Sequence, residues 1–227
     1  MQKISKPIAV FSYVFAAVLI IIYFSAEIIP RLYLSTGGRL FLLCGCCVFL
    51  WVGGFLLSKN IGSNVPMKIN LRIYLGLFLM LFITLTLFDP LWGRNGGFVL
   101  WNRELFAAYI KNSLNLVPFR TIGEYFGKGD FRQFIINIAG NIVCLMPLGI
   151  LLPLNFEKQR KTGAFLLTCG IIVLTIELLQ FLTLAGSCDI DDLILNVAGA
   201  YAVFLIAKNQ KIERFLKYIF LLEGEKI

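Results

Sequence analysis

Chemistry in this chain falls to polar side chains set inside apolar runs. Glu177 and Gln180 stand three residues apart in LLTCGIIVLTIELLQFLTL, so they share one helix face. Asn137 and Asn141 stand four apart in FIINIAGNIVCLMPLG and share a face as well. Asp189, Asp191 and Asp192 open the segment DIDDLILNVAG, with Asn196 one turn further on. Arg120 and Arg132 are the basic groups of the connection that precedes these helices. Histidine is absent, which removes the commonest general base at neutral pH and the commonest metal ligand. Carboxylates are therefore the candidates for catalysis: Glu177, desolvated among apolar side chains, as a base, with Asp192 beside it. Asp189, Asp191 and Asp192 are candidates to hold Mg²⁺ or another hard divalent cation, although D-x-D-D is a weak metal signal. Amides such as Asn137, Asn141, Gln180 and Asn196 suit sugar or amide ligands.

Each of these residues also has a plainer role. Asn and Gln in membrane bundles bond neighbouring helices as structural glue. Three aspartates at a helix start are favoured by the helix dipole. Thr121 and Glu124 have the T-x-x-E spacing of a capping box, which predicts a short helix after NLVPFR. Glu27, near the end of its apolar run, is expected to snorkel to the interface. Gly53-Gly54 and Gly199-Ala200 fit close helix packing. Cys44, Cys46, Cys47, Cys144 and Cys169 lie in apolar runs and fit small, buried packing roles, whereas Cys188 falls in a loop.

Composition says what must position these groups. Of 227 residues, 59% are hydrophobic and 15% charged, and mean hydropathy is +0.83. A soluble domain is nearer 45–50% apolar and about 25% charged. A soluble enzyme, a secreted disulfide scaffold and a disordered chain are excluded, which leaves an integral membrane protein. Six apolar runs approach the roughly 20 residues that a spanning helix needs: 8–29, 40–57, 71–88, 133–153, 163–184 and 190–207. The first is long for a signal peptide and reads as a retained span. Residues 98–110 read as an interfacial helix, and 212–220 as an amphipathic tail helix with Ile212, Phe215, Leu216, Ile219 and Phe220 on one stripe. The expected architecture is an all-α polytopic bundle, with a two-helix extension over 1–70, a core over 71–207 and a tail over 208–227.

The formal charge of +8 is set by 21 Lys and Arg against 13 Asp and Glu. These bases lie between apolar runs, and no nucleic-acid motif accompanies them. Thirteen fall on the side of both termini, so both termini are expected in the cytoplasm and the 89–132 and 185–189 connections outside. With a rise of 1.5 Å per residue, Asn141, Glu177 and Asn196 then lie roughly 9–12 Å below the outer surface. Three helices put polar groups in one slab, which predicts a single polar cluster beneath the 89–132 connection.

Four stretches in register carry a resemblance. Asn115-Leu-Val-Pro-Phe-Arg120-Thr-Ile comes first, then Asn137-Ile-Ala-Gly-Asn141 running into Met146-Pro-Leu-Gly149. Glu177-Leu-Leu-Gln180 and Asp189-Ile-Asp-Asp192-Leu-Ile-Leu-Asn196-Val-Ala-Gly199 follow. In order and spacing these resemble the VanZ-like family of bacterial membrane proteins over about residues 71–207. The resemblance implies a multi-pass cell-membrane protein of a Gram-positive bacterium, in a family whose founding member is associated with teicoplanin resistance.

Three functions fit these residues. In the first, a non-catalytic envelope protein binds a lipid-linked wall intermediate, a teichoic-type polymer or a lipoglycopeptide at the outer leaflet. Arg120 and Arg132 would then meet anionic groups. In the second, an intramembrane enzyme modifies a lipid-linked cell-wall substrate with carboxylate or metal chemistry. The absence of G-x-S-x-G or another nucleophile motif leans against that reading. In the third, Glu177 is the ion site of a small transporter. The apolar cytoplasmic halves of the helices speak against it, whereas Pro147 and Pro153 as kinks speak for it.

Overall fold

The computed structural model describes residues 2–29, 32, 34–87, 103–128, 131–183 and 186–222. Helices dominate: α1 (Gln2–Ile28), α2 (Thr36–Ile61), α3 (Val65–Leu87), α4 (Arg103–Ser113), α5 (Arg120–Lys128), α6 (Phe131–Cys144), α7 (Leu148–Asn155), α8 (Thr162–Thr183), α9 (Ile190–Ala207) and α10 (Gln210–Ile219). Six helical stretches are long and apolar enough to cross a membrane: α1 from Ser5, α2, α3, α6–α7 over Phe134–Asn155, α8 and α9. These are the six expected spans, each with the same core of residues. Of the stretch 98–110 read as an interfacial helix, residues from Arg103 are helical in α4, and residues 98–102 lie outside the described residues.

The chain folds as two compact units, one of residues 1–77 with 210–226 and one of residues 78–209. The first is built on the α1–α2 hairpin. A Cβ on Gly53 would lie 3.0 Å from the Tyr13 ring, and one on Gly54 would meet the Asn70 amide at 2.2 Å. The small residues thus let three helices approach closely. Glu27 does not snorkel. It pairs with buried Arg39 at 2.7 Å, because the turn between α1 and α2 brings the two together. The stripe of α10 is half-buried at Ile212, Leu216, Ile219 and Phe220, while Phe215 is exposed. Trp51 donates to the Ile219 carbonyl at 3.2 Å, so the tail helix is tied to α2. Cys46 is buried and Cys47 half-buried, but Cys44 is exposed rather than packed.

The second unit holds the residues of interest. Pro147 has no N–H to donate, and the fourth span breaks there into α6 and α7. Bonds three residues apart tighten the break, from Met146 N–H to the Val143 carbonyl (3.2 Å) and from Leu148 N–H to the Leu145 carbonyl (3.1 Å). Pro153, the other expected kink, lies inside α7. Both halves of this span lie against α9 through glycines. A Cβ on Gly199 would stand 1.9 Å from the Ile142 carbonyl oxygen, and one on Gly149 would stand 2.6 Å from that of Ala200. Backbone meets backbone at both crossings, which is the small-residue packing of membrane bundles. Phe165 and Phe204 stack at 4.3 Å between centroids and join α8 to α9.

Gly199→Val should therefore push α6 off α9, at a cost on the order of 1–3 kcal/mol or more. Gly170, in the middle of α8, has open space where a Cβ would go. Gly170→Ala should be neutral or gain a few tenths of a kcal/mol from helix propensity. Thermal unfolding of the two variants in detergent should separate them.

Candidate functional site

The site is assembled from five segments: the C-terminal turn of α3, the turn before α5, the middle of α6, the C-terminal half of α8 and the start of α9. The two-residue strand β1 (Leu114–Asn115) pairs in parallel with β2 (Cys188–Asp189), an element that helical periodicity does not predict. The Asp189 N–H donates to Glu177 Oε2 at 3.0 Å, so the buried carboxylate of α8 holds the turn that leads into α9.

Asp189 is the N-cap of α9 and accepts from the Asp191 N–H at 2.9 Å. The same carboxylate reaches across to the segment before α5. Its Oδ1 accepts from the Asn115 amide at 2.9 Å and its Oδ2 from the Thr121 hydroxyl at 2.5 Å. Asp191, 1% exposed, turns the other way and caps a different helix. It accepts from the Phe119 N–H at 2.5 Å and the Ile122 N–H at 3.2 Å, two of the groups that the start of α5 leaves without intrahelical partners. The expected capping box at Thr121 and Glu124 does not form. α5 already begins at Arg120, so Thr121 lies within the helix and not at its N-cap, and its hydroxyl donates to Asp189 and accepts from the Asn115 amide. Glu124 pairs instead with Arg120 at 3.0 Å on the exposed surface.

Asp192 accepts from the Asn141 amide. The Asn196 amide donates to the Asp192 carbonyl at 2.8 Å and reaches Asn141 Oδ1 at 3.4 Å. Gln180 Nε2 donates to the Thr86 carbonyl at 3.0 Å and so caps the C-terminal turn of α3. The structure therefore brings Asn141, Glu177, Gln180, Asp192 and Asn196 around one cavity of about 30 Å³, which Phe82, Thr86 and Cys144 also line. Polar residues of three expected spans, α6, α8 and α9, thus line one cavity. Asn137 is half-buried one turn before Asn141 and is not part of that lining. Arg120 and Arg132 are exposed, so neither joins the buried network.

The three aspartates, whose spacing suggested a divalent-cation site, are each bonded to protein donors. Among the described residues no three Cys, Asp or Glu side chains converge to hold a metal ion. Asp189, Asp191 and Asp192 bond to three different sets of donors. Two site residues lay outside the expected set. Asn115 accepts from the Val117 N–H at 3.0 Å in an Asx turn while donating to Thr121 and Asp189. Its signal in the sequence was an Asn placed shortly before Pro118, the pattern of a turn. Thr121 could not be found that way, since its partner lies 68 residues on.

Cys188 is half-buried beside this carboxylate cluster. Burial pushes its thiol up from the ordinary range, and the negative charges of Glu177, Asp189 and Asp192 push it further the same way. The thiolate is the reactive form, so alkylation of Cys188 should set in at higher pH than for an ordinary cysteine. Glu177→Gln removes one of those charges and should move the profile back toward neutral pH. A profile for Cys188 that matches a free thiol would contradict this electrostatic picture. Asp191→Ala should uncap α5 and leave two N–H groups without partners, a loss of roughly 1–3 kcal/mol. Hydrogen exchange should then quicken in 119–128 and stay slow in the middle of α8.

Comparison with known proteins places this arrangement. A family model described as VanZ/LLP1 matches residues 72–215. Protein VanZ of Enterococcus faecium is 33% identical over 93 residues, covering 41% of this chain and 51% of that protein, so the match spans about half the length of the relative. No solved structure matches. The matched region contains the whole α3–α9 network, and with six spanning helices the chain is a multi-pass bacterial membrane protein that belongs to the VanZ/LLP1 family.

Proposed function

We propose that this chain is a non-catalytic envelope protein that binds the lipid-bearing part of a wall component or lipoglycopeptide at the outer leaflet, and that it lowers susceptibility to teicoplanin-type drugs. The observation that carries this reading is the turn between β1 and α5. Leu116, Val117 and Phe119 are 67%, 56% and 64% exposed on consecutive positions around Pro118, directly before exposed Arg120. Phe119 sits at φ 64, a left-handed conformation that a bulky residue rarely adopts. Such a conformation persists only where the surroundings hold it, and it clusters at binding sites. Here the Asp191 carboxylate holds the Phe119 N–H. The turn is thus rigid, apolar at its tip and basic at its edge, which suits an acyl or polyprenyl chain with an anionic group next to it. The Arg120–Glu124 pair is exposed and worth only a few tenths of a kcal/mol, so Arg120 can exchange it for a ligand anion at little cost. The distribution of basic residues supports cytoplasmic termini, with this turn on the outer side.

The test is expression in a susceptible Gram-positive host, with teicoplanin susceptibility and surface binding of a fluorescent lipoglycopeptide as readouts. Phe119→Gly relieves the left-handed strain and removes the ring. Stability should hold or rise slightly, while binding should weaken by roughly tenfold to a hundredfold, since burying such a side chain contributes about 1.5–3 kcal/mol. Arg120→Ala should give a smaller loss. Wild-type protein that leaves both readouts at the level of the empty host would remove the proposal.

A further inference from the structure

The unit of residues 1–77 with 210–226 carries most of the net charge of the chain. It holds eleven Lys and Arg against four Glu and no Asp, while the whole chain is +8. Pairing every glutamate of the unit therefore leaves seven bases, and the remainder of the chain, close to neutral, does not offset them. One of those glutamates, Glu27, is held by Arg39 at one end of the α1–α2 hairpin. At the other end the Ser5 hydroxyl donates to Asn60 Oδ1 at 2.9 Å, and a short turn through Gly62, in the left-handed conformation at φ 64, leads into α3. The start of α1, the end of α2 and the start of α3 thus lie together. Lys6 and Lys59 are exposed there, and Arg72 is exposed two turns into α3. Two helices start at this end and one finishes, so the helix dipoles add to the positive sign.

The tail helix α10 is seated on the same end of this unit. Trp51 holds the Ile219 carbonyl, and the Phe220 ring lies 6.3 Å from that of Tyr74. Leu222, 3% exposed, closes the helix by donating its N–H to the Lys217 carbonyl at 2.8 Å. Trp51 and Tyr74 lie about 15 and about 14 Å along α2 and α3 from the turn that joins them. Lys59 and Arg72 are the last charges before the apolar stretches of those two helices. α10 therefore ends just inside the charged level, where hydrocarbon gives way to headgroups. Its half-buried stripe faces the bundle, while Lys211, Arg214, Phe215 and Tyr218, three and four residues apart, share the exposed face. Bases beside exposed aromatic rings suit a bilayer boundary, whereas a free anion in water would leave the rings uncovered. We infer that Lys59, Arg72, Lys211 and Arg214 form a binding surface for the phosphate headgroups of anionic phospholipids, with Phe215 and Tyr218 set among the acyl chains. The surface belongs to a different unit from the exposed Leu116–Arg120 turn and does not depend on what that turn binds.

The test is lipid selectivity of the purified full chain in phosphatidylcholine bilayers, read from the protein-restricted fraction of trace spin-labelled phosphatidylglycerol or phosphatidylcholine. Wild-type protein should prefer phosphatidylglycerol by roughly fivefold, the effect of one Lys or Arg close to an anionic group. In 1 M NaCl, where screening acts within about 3 Å, the preference should fall toward equality. Lys211→Gln with Arg214→Gln, and Lys59→Gln with Arg72→Gln, should each remove most of it. All four side chains are exposed, so helicity should stay at the wild-type level. Lys158→Gln with Lys161→Gln takes the same charge from the connection between α7 and α8, outside this unit, and should leave the preference in place. Equal association of the two lipids with wild-type protein would overturn the inference. So would an equal loss in all three double variants, which would mean that net charge alone attracts the lipid. Loss of the preference to inorganic phosphate at constant ionic strength would assign the surface to a free anion and overturn it as well. The susceptibility readout for the Leu116–Arg120 turn does not enter this experiment, so either idea can fail without the other.

Discussion

Buried carboxylates met by neutral donors are the constraint from which the rest of this structure follows. Asp189 and Asp191 are 6% and 1% exposed, and the partners of both are backbone N–H groups, an amide and a hydroxyl. A Lys or Arg partner would bring its own desolvation cost and the entropy of a long side chain. Backbone donors at a helix start bring neither, and the dipole of the helix adds to their attraction. Asp189 uses the start of α9 and Asp191 the start of α5. One short acidic segment therefore sets the beginnings of two helices that are far apart in sequence.

That arrangement decides what is left for function. Once Asp189 and Asp191 are committed as caps, they are poor candidates for metal binding or proton transfer, because moving either one would release a helix end. The groups left around the cavity are Glu177, Asp192 and the amides of Asn141, Gln180 and Asn196. They line a cavity between α3, α6, α8 and α9, and α6 meets α9 backbone to backbone at Gly199. The membrane crossing and the polar network are thus one problem. Helices that touch backbone to backbone place short polar side chains within bonding distance, whereas larger residues at the crossings would hold them apart.

The turn before α5 shows the same economy on the exposed side. Asn115 and Thr121 bracket it, Asp189 ties them together and Asp191 holds the Phe119 backbone between them. An apolar tip fixed by buried anions can present its side chains outward without collapsing onto the bundle. A surface held in this way loses little conformational entropy on binding.

Local pattern was enough for a large part of this. Runs of about 20 apolar residues announce spanning helices because the bilayer demands them, and residue rise sets the depth of any polar group along a span. The six spans and the gathering of Asn141, Glu177 and Asn196 around one cavity were therefore legible in the residues themselves. Partners were not. Thr121 answers to Asp189 and not to its own helix, Glu27 to Arg39 and not to the interface, and the aspartates to three different sets of donors. Sequence records how far along its axis a side chain lies. Which way it faces, and which group 50 to 90 residues away it meets, is set by how the helices rotate and cross. That rotation is a property of the packed bundle, fixed by glycine contacts and by the requirement that every buried polar group find a donor or an acceptor.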